Sequence, residues 1–119
     1  MYKQGFQVAP AELEAHLLTH PAVSDAAVIA IDDPAAGELP KAFVVRAPNA
    51  NVSLSDEELA RDIVKYVETH MAHYKQLRGG VEFVDVIPKS PSGKILRRKL
   101  RDAEREKRKA KEGRVRAKL

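Results

Sequence analysis

Residues 22–47 read AVSDAAVIAIDDPAAGELPKAFVVRA, and this stretch decides the fold because it contains two apolar segments with a turn between them. Residues 22–31 and 38–47 are rich in Val, Ile and Ala, as strands are, and residues 32–37 contain the Asp, Pro and Gly typical of turns. We therefore predict two strands that are joined by a turn loop and paired antiparallel. Residues 26–31 are continuously apolar, which predicts that the first strand is buried on both faces.

The segment before these strands predicts a helix. Pro10 suits a first helical turn because its missing N–H would have no partner there, and Pro21 ends the segment. Leu13 and Leu17 are four residues apart and form one apolar stripe, with Leu18 at its edge. We expect this stripe to pack on the sheet.

The segment after the strands predicts a second helix, from near Ser55 to near His73. Ser55 and Glu58 have the spacing of a capping box, in which each side chain bonds the backbone N–H of the other residue. The expected buried stripe of this helix consists of Leu59, Ile63, Tyr66 and Val67.

The rest of the chain predicts a strand, a loop and a charged helix. Residues 81–87 alternate as a strand does, and residues 88–94 contain two Pro, two Ser and one Gly. Residues 95–111 form a strongly charged helix that we expect to fray beyond Leu100. This order of elements predicts an α+β fold, a small antiparallel or mixed sheet with about three helices packed on it.

The composition predicts one soluble, intracellular domain. The 119 residues are 44% hydrophobic and 32% charged, which allows a packed core, and the absence of Cys excludes disulfides and thiolate chemistry. No apolar run approaches the roughly 20 residues that a membrane span needs. The net charge of +4 is unevenly divided, because residues 94–119 carry +9 and residues 1–93 carry −5. The basic character therefore belongs to a C-terminal tail.

The loop that leads to Lys94 is the most informative segment for function. Residues 88–98 read PKSPSGKILRR, in which two prolines stiffen the chain and Gly93 permits a backbone conformation that other residues resist. Lys94 stands at the tip, where a cation could be delivered to an anionic centre elsewhere. The alternative interpretation is a solvated turn with a surface lysine. The segment is not a phosphate-binding P-loop, because Ile95 stands where that motif needs Ser or Thr.

A second loop opens the chain. Residues 5–10 read GFQVAP, and Gly5 would let a ligand approach the backbone closely. The alternative interpretation is a plain entry into a strand.

Other classes of site have weaker support. His16 and His20 are four residues apart, and His70 and His73 are three apart, but no third ligand is evident, so we predict no metal site. No Gly-x-Ser-x-Gly motif supports a hydrolase. The basic tail could bind nucleic acid or an anionic surface, which is the alternative function. Because the tail has no aromatic residue for stacking and is interrupted by acidic residues, we expect no nucleic-acid partner. Because no apolar run is long enough, we also expect no membrane span.

The two loops and two shorter motifs together resemble a known family. Residues 5–14 (GFQVAPAELE), 20–21 (HP), 37–40 (GELP) and 88–97 (PKSPSGKILR) occur in the order seen in adenylate-forming enzymes. Residues 2–100 resemble the C-terminal domain of AMP-binding acyl-CoA synthetases of the 4-coumarate–CoA ligase and firefly luciferase type.

The resemblance implies a two-step reaction. A carboxylic acid and Mg2+-bound ATP form an acyl adenylate, and CoA then displaces AMP to give a thioester. In this family the small domain is a mobile lid on a larger N-terminal adenylation domain, which binds most of the ATP and Mg2+. We therefore expect an excised fragment with a start Met, inactive alone, in which residues 1–100 are the lid and residues 101–119 are a basic helical or disordered tail.

The resemblance also implies roles for five residues. Lys94 is the adenylation lysine and contacts the adenylate, as does Gln7. Gly5 lines the tunnel that takes up the pantetheine arm of CoA. Where plant ligases read Lys-Tyr-Lys-Gly, this chain reads Tyr-Lys-Gln-Gly. Either Gln4 replaces the lysine on the CoA side, or Lys3 takes that role.

The chain ends Ala117-Lys118-Leu119, close to the Ser-Lys-Leu peroxisomal signal. The ending, together with the peroxisomal location of many enzymes of this type, predicts binding to the peroxisomal import receptor. The expected location is thus the peroxisome, or otherwise the cytoplasm.

Overall fold

The computed structural model describes residues 10–33, 37–48, 54–70 and 77–117. Within these ranges the elements are α1 (Pro10–Leu17), β1 (Val23–Asp33), β2 (Gly37–Arg46), α2 (Asp56–His70), β3 (Val81–Phe83) and α3 (Arg97–Ala117). The strands form one mixed sheet in the order β1-β2-β3. The predicted α+β fold is confirmed. The chain divides into two compact units, Met1–Ile87 and Pro88–Leu119.

The β1–β2 pair is the centre of the first unit. The two strands pair antiparallel from Val23 opposite Arg46 to Asp33 opposite Gly37, which confirms the prediction. The side chains of residues 26–29 are at most 2% exposed. Because neighbouring side chains of a strand point to opposite faces, four consecutive buried residues mean that β1 is covered on both sides, as the apolar run predicts.

Helices α1 and α2 pack on one face of this sheet. Their buried stripes meet every second residue of β1 and β2, since alternate side chains of a strand share a face. The helices contribute Leu13, Leu17, Leu59, Ile63 and Val67, and the strands contribute Ala26, Val28, Ala42 and Val44. The predicted stripes are confirmed except at Tyr66, which is half-buried because its ring stacks against histidines at the edge of this core.

A capping box begins α2, as the spacing predicts. The N–H of Ser55 donates to Oε1 of Glu58 at 2.9 Å, and the N–H of Glu58 donates to Oγ of Ser55 at 3.1 Å. The bond from the Ser55 N–H, followed by the bond with the Ser55 hydroxyl, holds the pKa of Glu58 below its ordinary value of 4.5. The helix is described as far as His70, and its predicted end near His73 lies outside the described residues.

The third strand is shorter than the alternation in the sequence predicts. Val81–Phe83 pairs parallel with β2, and the N–H of Val84 adds one more bond to that strand at 2.9 Å. The prediction of a strand over residues 81–87 is therefore wrong beyond Phe83. Asp85 and Val86 are exposed, whereas Ile87 is 2% exposed, so the buried side chain at the end of this segment lies outside the strand.

Helix α3 begins and ends later than predicted. It spans Arg97–Ala117 rather than residues 95–111, so the backbone is helical to its last described residue. The expected fraying beyond Leu100 stays a prediction. Ala, Glu, Lys and Arg favour helix, and Lys107 and Glu104 form an ion pair one turn apart, with Nζ and Oε1 separated by 3.6 Å. The boundary predicted at Leu100 between lid and tail stays a prediction. In the described ranges, no helix combines the length and the apolar character that a membrane span requires.

Candidate active-site hairpin

The segment that carries Lys94 is a short β-hairpin. The N–H of Leu96 donates to the carbonyl oxygen of Pro88 at 2.9 Å. The next pair towards the turn, Lys89 and Ile95, forms an antiparallel bridge. Nearer the turn, the N–H of Ser90 donates to the carbonyl oxygen of Lys94 at 2.8 Å. We call residues 88–96 the Lys94 hairpin. The segment predicted as a loop is thus a hairpin that backbone hydrogen bonds hold together.

The turn of the Lys94 hairpin has the residues that its geometry needs. The N–H of Gly93 donates to the carbonyl oxygen of Ser90 at 2.8 Å, and Gly93 has a φ of 88°. A turn followed by a residue in the left-handed conformation is a common three-residue hairpin loop. Pro91 presets the backbone at the second position of the turn, and Gly93 enters the left-handed region without strain from a Cβ. The special backbone predicted for Gly93 is confirmed.

The side chain of Ser90 makes a contact that the sequence analysis missed. Its Oγ accepts the backbone N–H of Lys94 at 3.1 Å and lies 3.0 Å from the Oγ of Ser92. A signal for it was available, because a serine at the first position of a turn commonly bonds nearby backbone groups.

The side chain of Lys94 is exposed, and within residues 88–110 its ammonium has no hydrogen-bond or ion-pair partner. Helix α3 starts three residues later with Arg97 and Arg98 and has no acidic residue in its first turn. Basic side chains there oppose the helix dipole and weaken the helix end, but they add to the positive potential around Lys94. The hairpin can therefore present a cation to a phosphate or carboxylate held by another domain or molecule.

The other predicted site residues lie outside the described residues. Lys3, Gln4, Gly5 and Gln7 all precede Pro10, where the description of the chain begins. Their roles in CoA and adenylate binding stay predictions.

Three histidines meet around one tyrosine where α1 and the turn after it face α2. The rings of His16 and His20 have centroids 4.9 Å from that of Tyr66, and the ring of His70 lies 4.7 Å from it. The fourth histidine, His73, is outside the described residues. In the part of the chain that the structure describes, no three His, Asp or Glu side chains are arranged to hold a metal ion.

His20 has a structural role in this cluster. It is 7% exposed, and its Nδ1 accepts the N–H of Ala22 at 3.0 Å. Its Nε2 therefore carries the proton and donates to Oδ2 of Asp62 at 2.8 Å. The His-Pro motif thus ties the turn after α1 to α2.

Comparison with known proteins identifies the family of this chain. Residues 12–94 match the family model of the AMP-binding enzyme C-terminal domain. The 4-coumarate–CoA ligase-like 1 of Arabidopsis thaliana is 57% identical over 99 residues, which are 83% of this chain and 17% of that protein. The acyl-CoA ligase lcsD of Purpureocillium lilacinum is 50% identical over 102 residues, 86% of this chain and 26% of that protein. The chain therefore spans about a sixth to a quarter of the length of these relatives.

Solved structures of acyl-CoA synthetases contain a segment with the same fold. The crystal structure of Brucella canis acyl-CoA synthetase matches with a TM-score of 0.78 and 40% identity, over 87% of this chain and 18% of that one. The anthranilate CoA ligase AuaEII, in complex with anthranoyl-AMP, matches with a TM-score of 0.69 and 41% identity, over 81% and 18%. The family match ends at Lys94, the exposed cation of the hairpin. This chain belongs to the family of AMP-binding enzyme C-terminal domains, the domain found in adenylate-forming acyl-CoA ligases.

Proposed function

We propose that this chain is the mobile lid of an ATP-dependent acid–CoA ligase and that Lys94 serves its adenylation step. The observation that carries the proposal is the exposed Lys94 side chain on a hydrogen-bonded hairpin at the end of the family match. The names of the relatives, an acyl-CoA ligase and a 4-coumarate–CoA ligase-like protein, support an acyl-CoA product.

The proposed reaction has two steps. First, a carboxylate oxygen of the acid attacks the α-phosphate of Mg2+-bound ATP, the bond to pyrophosphate breaks, and the acyl adenylate forms. Second, the thiol of CoA loses its proton and attacks the acyl carbonyl, and AMP leaves. We assign ATP, Mg2+ and the acid mainly to an N-terminal adenylation domain, the part of the relatives that this chain does not span.

The ammonium of Lys94 would lower the electrostatic barrier of the first step. The acid and the triphosphate are both negative and repel each other as they approach. A unit positive charge about 4 Å from a negative one contributes roughly 4 kcal/mol at an effective dielectric constant near 20. Because the hairpin holds the backbone of Lys94 in place, only the side-chain torsions need to change when the charge is used.

For the second step we propose a role for the opening stretch. Gly5 would line the pantetheine tunnel, Lys3 or Gln4 would contact CoA, and Gln7 would contact the adenylate. The support for Gly5 and Gln7 is the resemblance of residues 5–14 to the family motif. The support for Lys3 or Gln4 is their position before Gly5, where plant ligases read Lys-Tyr-Lys-Gly.

A chimeric ligase tests the role of Lys94. In this chimera, the present chain replaces the matching C-terminal segment of the Arabidopsis thaliana relative. The Lys94→Ala chimera should lose about 10²–10³-fold in ATP–pyrophosphate exchange, because one preorganised charge contact is removed. Transfer of the acyl group from preformed adenylate to CoA should be largely unchanged. Lys94→Arg should restore little, since a planar guanidinium differs in reach and shape from an ammonium.

The matched control is Lys99→Ala, which removes the same charge from an exposed lysine of α3. It should leave both half-reactions unchanged. A bulky residue at Gly5 should have the opposite effect to Lys94→Ala, impairing transfer to CoA and sparing the exchange. An inactive wild-type chimera, or equal losses of both half-reactions in Lys94→Ala, would contradict the proposal.

We also propose that Ala117-Lys118-Leu119 directs the protein to the peroxisome through the import receptor. The support comes from the sequence alone, which is similar to the Ser-Lys-Leu signal. Lys118 and Leu119 lie outside the described residues. A fluorescent protein that carries residues 101–119 should co-localise with a peroxisomal marker, and the same fusion without the last three residues should not. Cytoplasmic fluorescence from both fusions would contradict this part of the proposal.

A second candidate function is the binding of nucleic acid or an anionic surface by α3. One observation favours it: the side chains of residues 105–110 are all exposed, and four of the six are basic. On this alternative, deletion of residues 101–119 should abolish DNA binding together with its steep salt dependence. On the lid proposal, the same deletion leaves both half-reactions of the chimera nearly intact.

A further inference from the structure

Ser90 bonds both backbone polar groups of Lys94. Its N–H donates to the carbonyl oxygen of Lys94 at 2.8 Å, and its Oγ accepts the N–H of Lys94 at 3.1 Å. Its own carbonyl oxygen accepts the N–H of Gly93 at 2.8 Å and so closes the turn. Ser90 is half-buried, whereas residues 91–94 are all exposed. The exposed lysine is therefore held through a residue that is less exposed than the turn itself.

The bond to the hydroxyl differs from the other two because it depends on the side chain. Any residue except proline at position 90 can supply the backbone N–H and carbonyl, but the N–H of Lys94 is accepted by a side-chain oxygen, here the Oγ of Ser90. With its N–H and its carbonyl both held, Lys94 has a fixed direction for its Cα–Cβ bond, and only the side-chain torsions stay free. The Ser92 hydroxyl, 3.0 Å away, allows the Ser90 O–H to donate while its oxygen accepts from Lys94.

We infer that Ser90 is the positioning residue of Lys94, and that its hydroxyl sets the direction from which the ammonium approaches the acid and the α-phosphate. This inference rests on the proposed function of Lys94. Rates depend strongly on such placement, since an error of about 1 Å can cost about 100-fold. Because the two backbone bonds remain, loss of the hydroxyl alone should slow adenylation by about two- to tenfold, the equivalent of one neutral hydrogen bond.

Amide hydrogen exchange on the 119-residue chain tests the contact itself. In Ser90→Ala the Lys94 amide should exchange about two- to tenfold faster, because it loses its acceptor. The amides of Gly93 and Leu96, which donate to backbone carbonyls, should stay protected. Ser90→Thr keeps an Oγ and should restore protection at Lys94. Unchanged exchange of the Lys94 amide in Ser90→Ala would overturn the inference.

The half-reactions of the chimeric ligase test the consequence for catalysis. Ser90→Ala should slow ATP–pyrophosphate exchange and leave transfer to CoA unchanged, which a general loss of structure would not do. Ser90→Thr should recover the exchange rate. The comparison variant is Ser92→Ala, which removes the partner of the Ser90 hydroxyl but keeps the Oγ that accepts the Lys94 N–H, so pyrophosphate exchange should fall less than in Ser90→Ala.

The outcomes separate this inference from the proposed function on which it rests. If Lys94→Ala retains pyrophosphate exchange, the proposed role of Lys94 is wrong. If Lys94→Ala is inactive but Ser90→Ala is as active as the wild type, only the positioning role of Ser90 is wrong. Failure of Ser90→Thr to rescue an impaired Ser90→Ala would also overturn the positioning role, because the shared Oγ would not be the cause.

Discussion

The two units of this chain, Met1–Ile87 and Pro88–Leu119, are held by different interactions. In the described part of the first unit, apolar side chains such as Leu13, Ile63 and Val67 are completely buried between two helices and a sheet. In the second unit, backbone hydrogen bonds and exposed turn residues set the conformation of the Lys94 hairpin. The comparison teaches that stability and the proposed chemistry depend on different residues, so each should be alterable with little effect on the other.

Two glycines show the same contrast at single positions. A Cβ on Gly79 would lie 2.7 Å from the carbonyl oxygen of Pro40 and 3.0 Å from the Cβ of Lys41, so close packing excludes a side chain there. A Cβ on Gly93 would meet no atom within 4 Å, but the backbone there is left-handed. Gly79 is needed for space, and Gly93 is needed for its conformation.

The largest loss of stability is expected from a truncation in the buried unit. Ile63→Ala should lower the free energy of unfolding by about 2–5 kcal/mol, because it removes buried methyl groups and leaves a cavity. Denaturant titration followed by circular dichroism measures this loss. Lys65→Ala, an exposed position of the same helix, is the control and should change the free energy by less than about 0.5 kcal/mol. Equal effects of the two substitutions would break the comparison.

A smaller loss is expected where packing excludes a methyl group. Gly79→Ala should reduce the free energy of unfolding by about 1–3 kcal/mol, because the new Cβ would overlap a backbone oxygen that cannot rotate away. Thermal unfolding measures the loss, and the Lys94 amide should keep its hydrogen-exchange protection. An unchanged free energy of unfolding in Gly79→Ala would show that the turn before β3 is less tightly packed than these distances require.

A local effect is expected in the Lys94 hairpin. Gly93→Ala should destabilise the hairpin by about 1–2 kcal/mol, since a Cβ is unfavourable in the left-handed region. Exchange of the Lys94 amide should rise, while the amides of residues 26–29 should be unaffected. Gly93→Asn is the matched variant and should be milder, because asparagine tolerates this conformation. Equal protection in wild type and Gly93→Ala would contradict the role assigned to the turn.

The smallest expected effect is a pH dependence at the start of α2. The lowered pKa of Glu58 means that its carboxylate stabilises the folded chain above about pH 4.5 and loses this contribution as the pH falls through the folded-state value. Glu58→Gln keeps a capping side chain but cannot titrate, so its stability should fall less between pH 4.5 and acid. Melting temperatures across this range check the difference, and identical pH profiles would exclude the contribution.

Local patterns were sufficient to predict much of the first unit. The apolar run of residues 26–31 and the spacing of Ser55 and Glu58 each act through near neighbours, so the strand pair and the capping box were predictable. The extent of β3 was not, because alternation describes a strand but does not say whether another strand pairs with it. The bond from the Lys94 N–H to the Ser90 hydroxyl was missed although serine at the first position of a turn is a signal for it, because the sequence does not show where the turn begins.

By itself the sequence determined the α+β class, the antiparallel pair, the core stripes of α1 and α2 and the resemblance that singles out Lys94, since these follow from residues close together in the chain. Only the tertiary structure decided that β3 lies parallel to β2 and that histidines from α1 and α2 meet around Tyr66. The bond between His20 and Asp62, for instance, joins positions 42 residues apart. Contacts of that kind depend on the balance between chain entropy and burial over the whole unit, which no local pattern records.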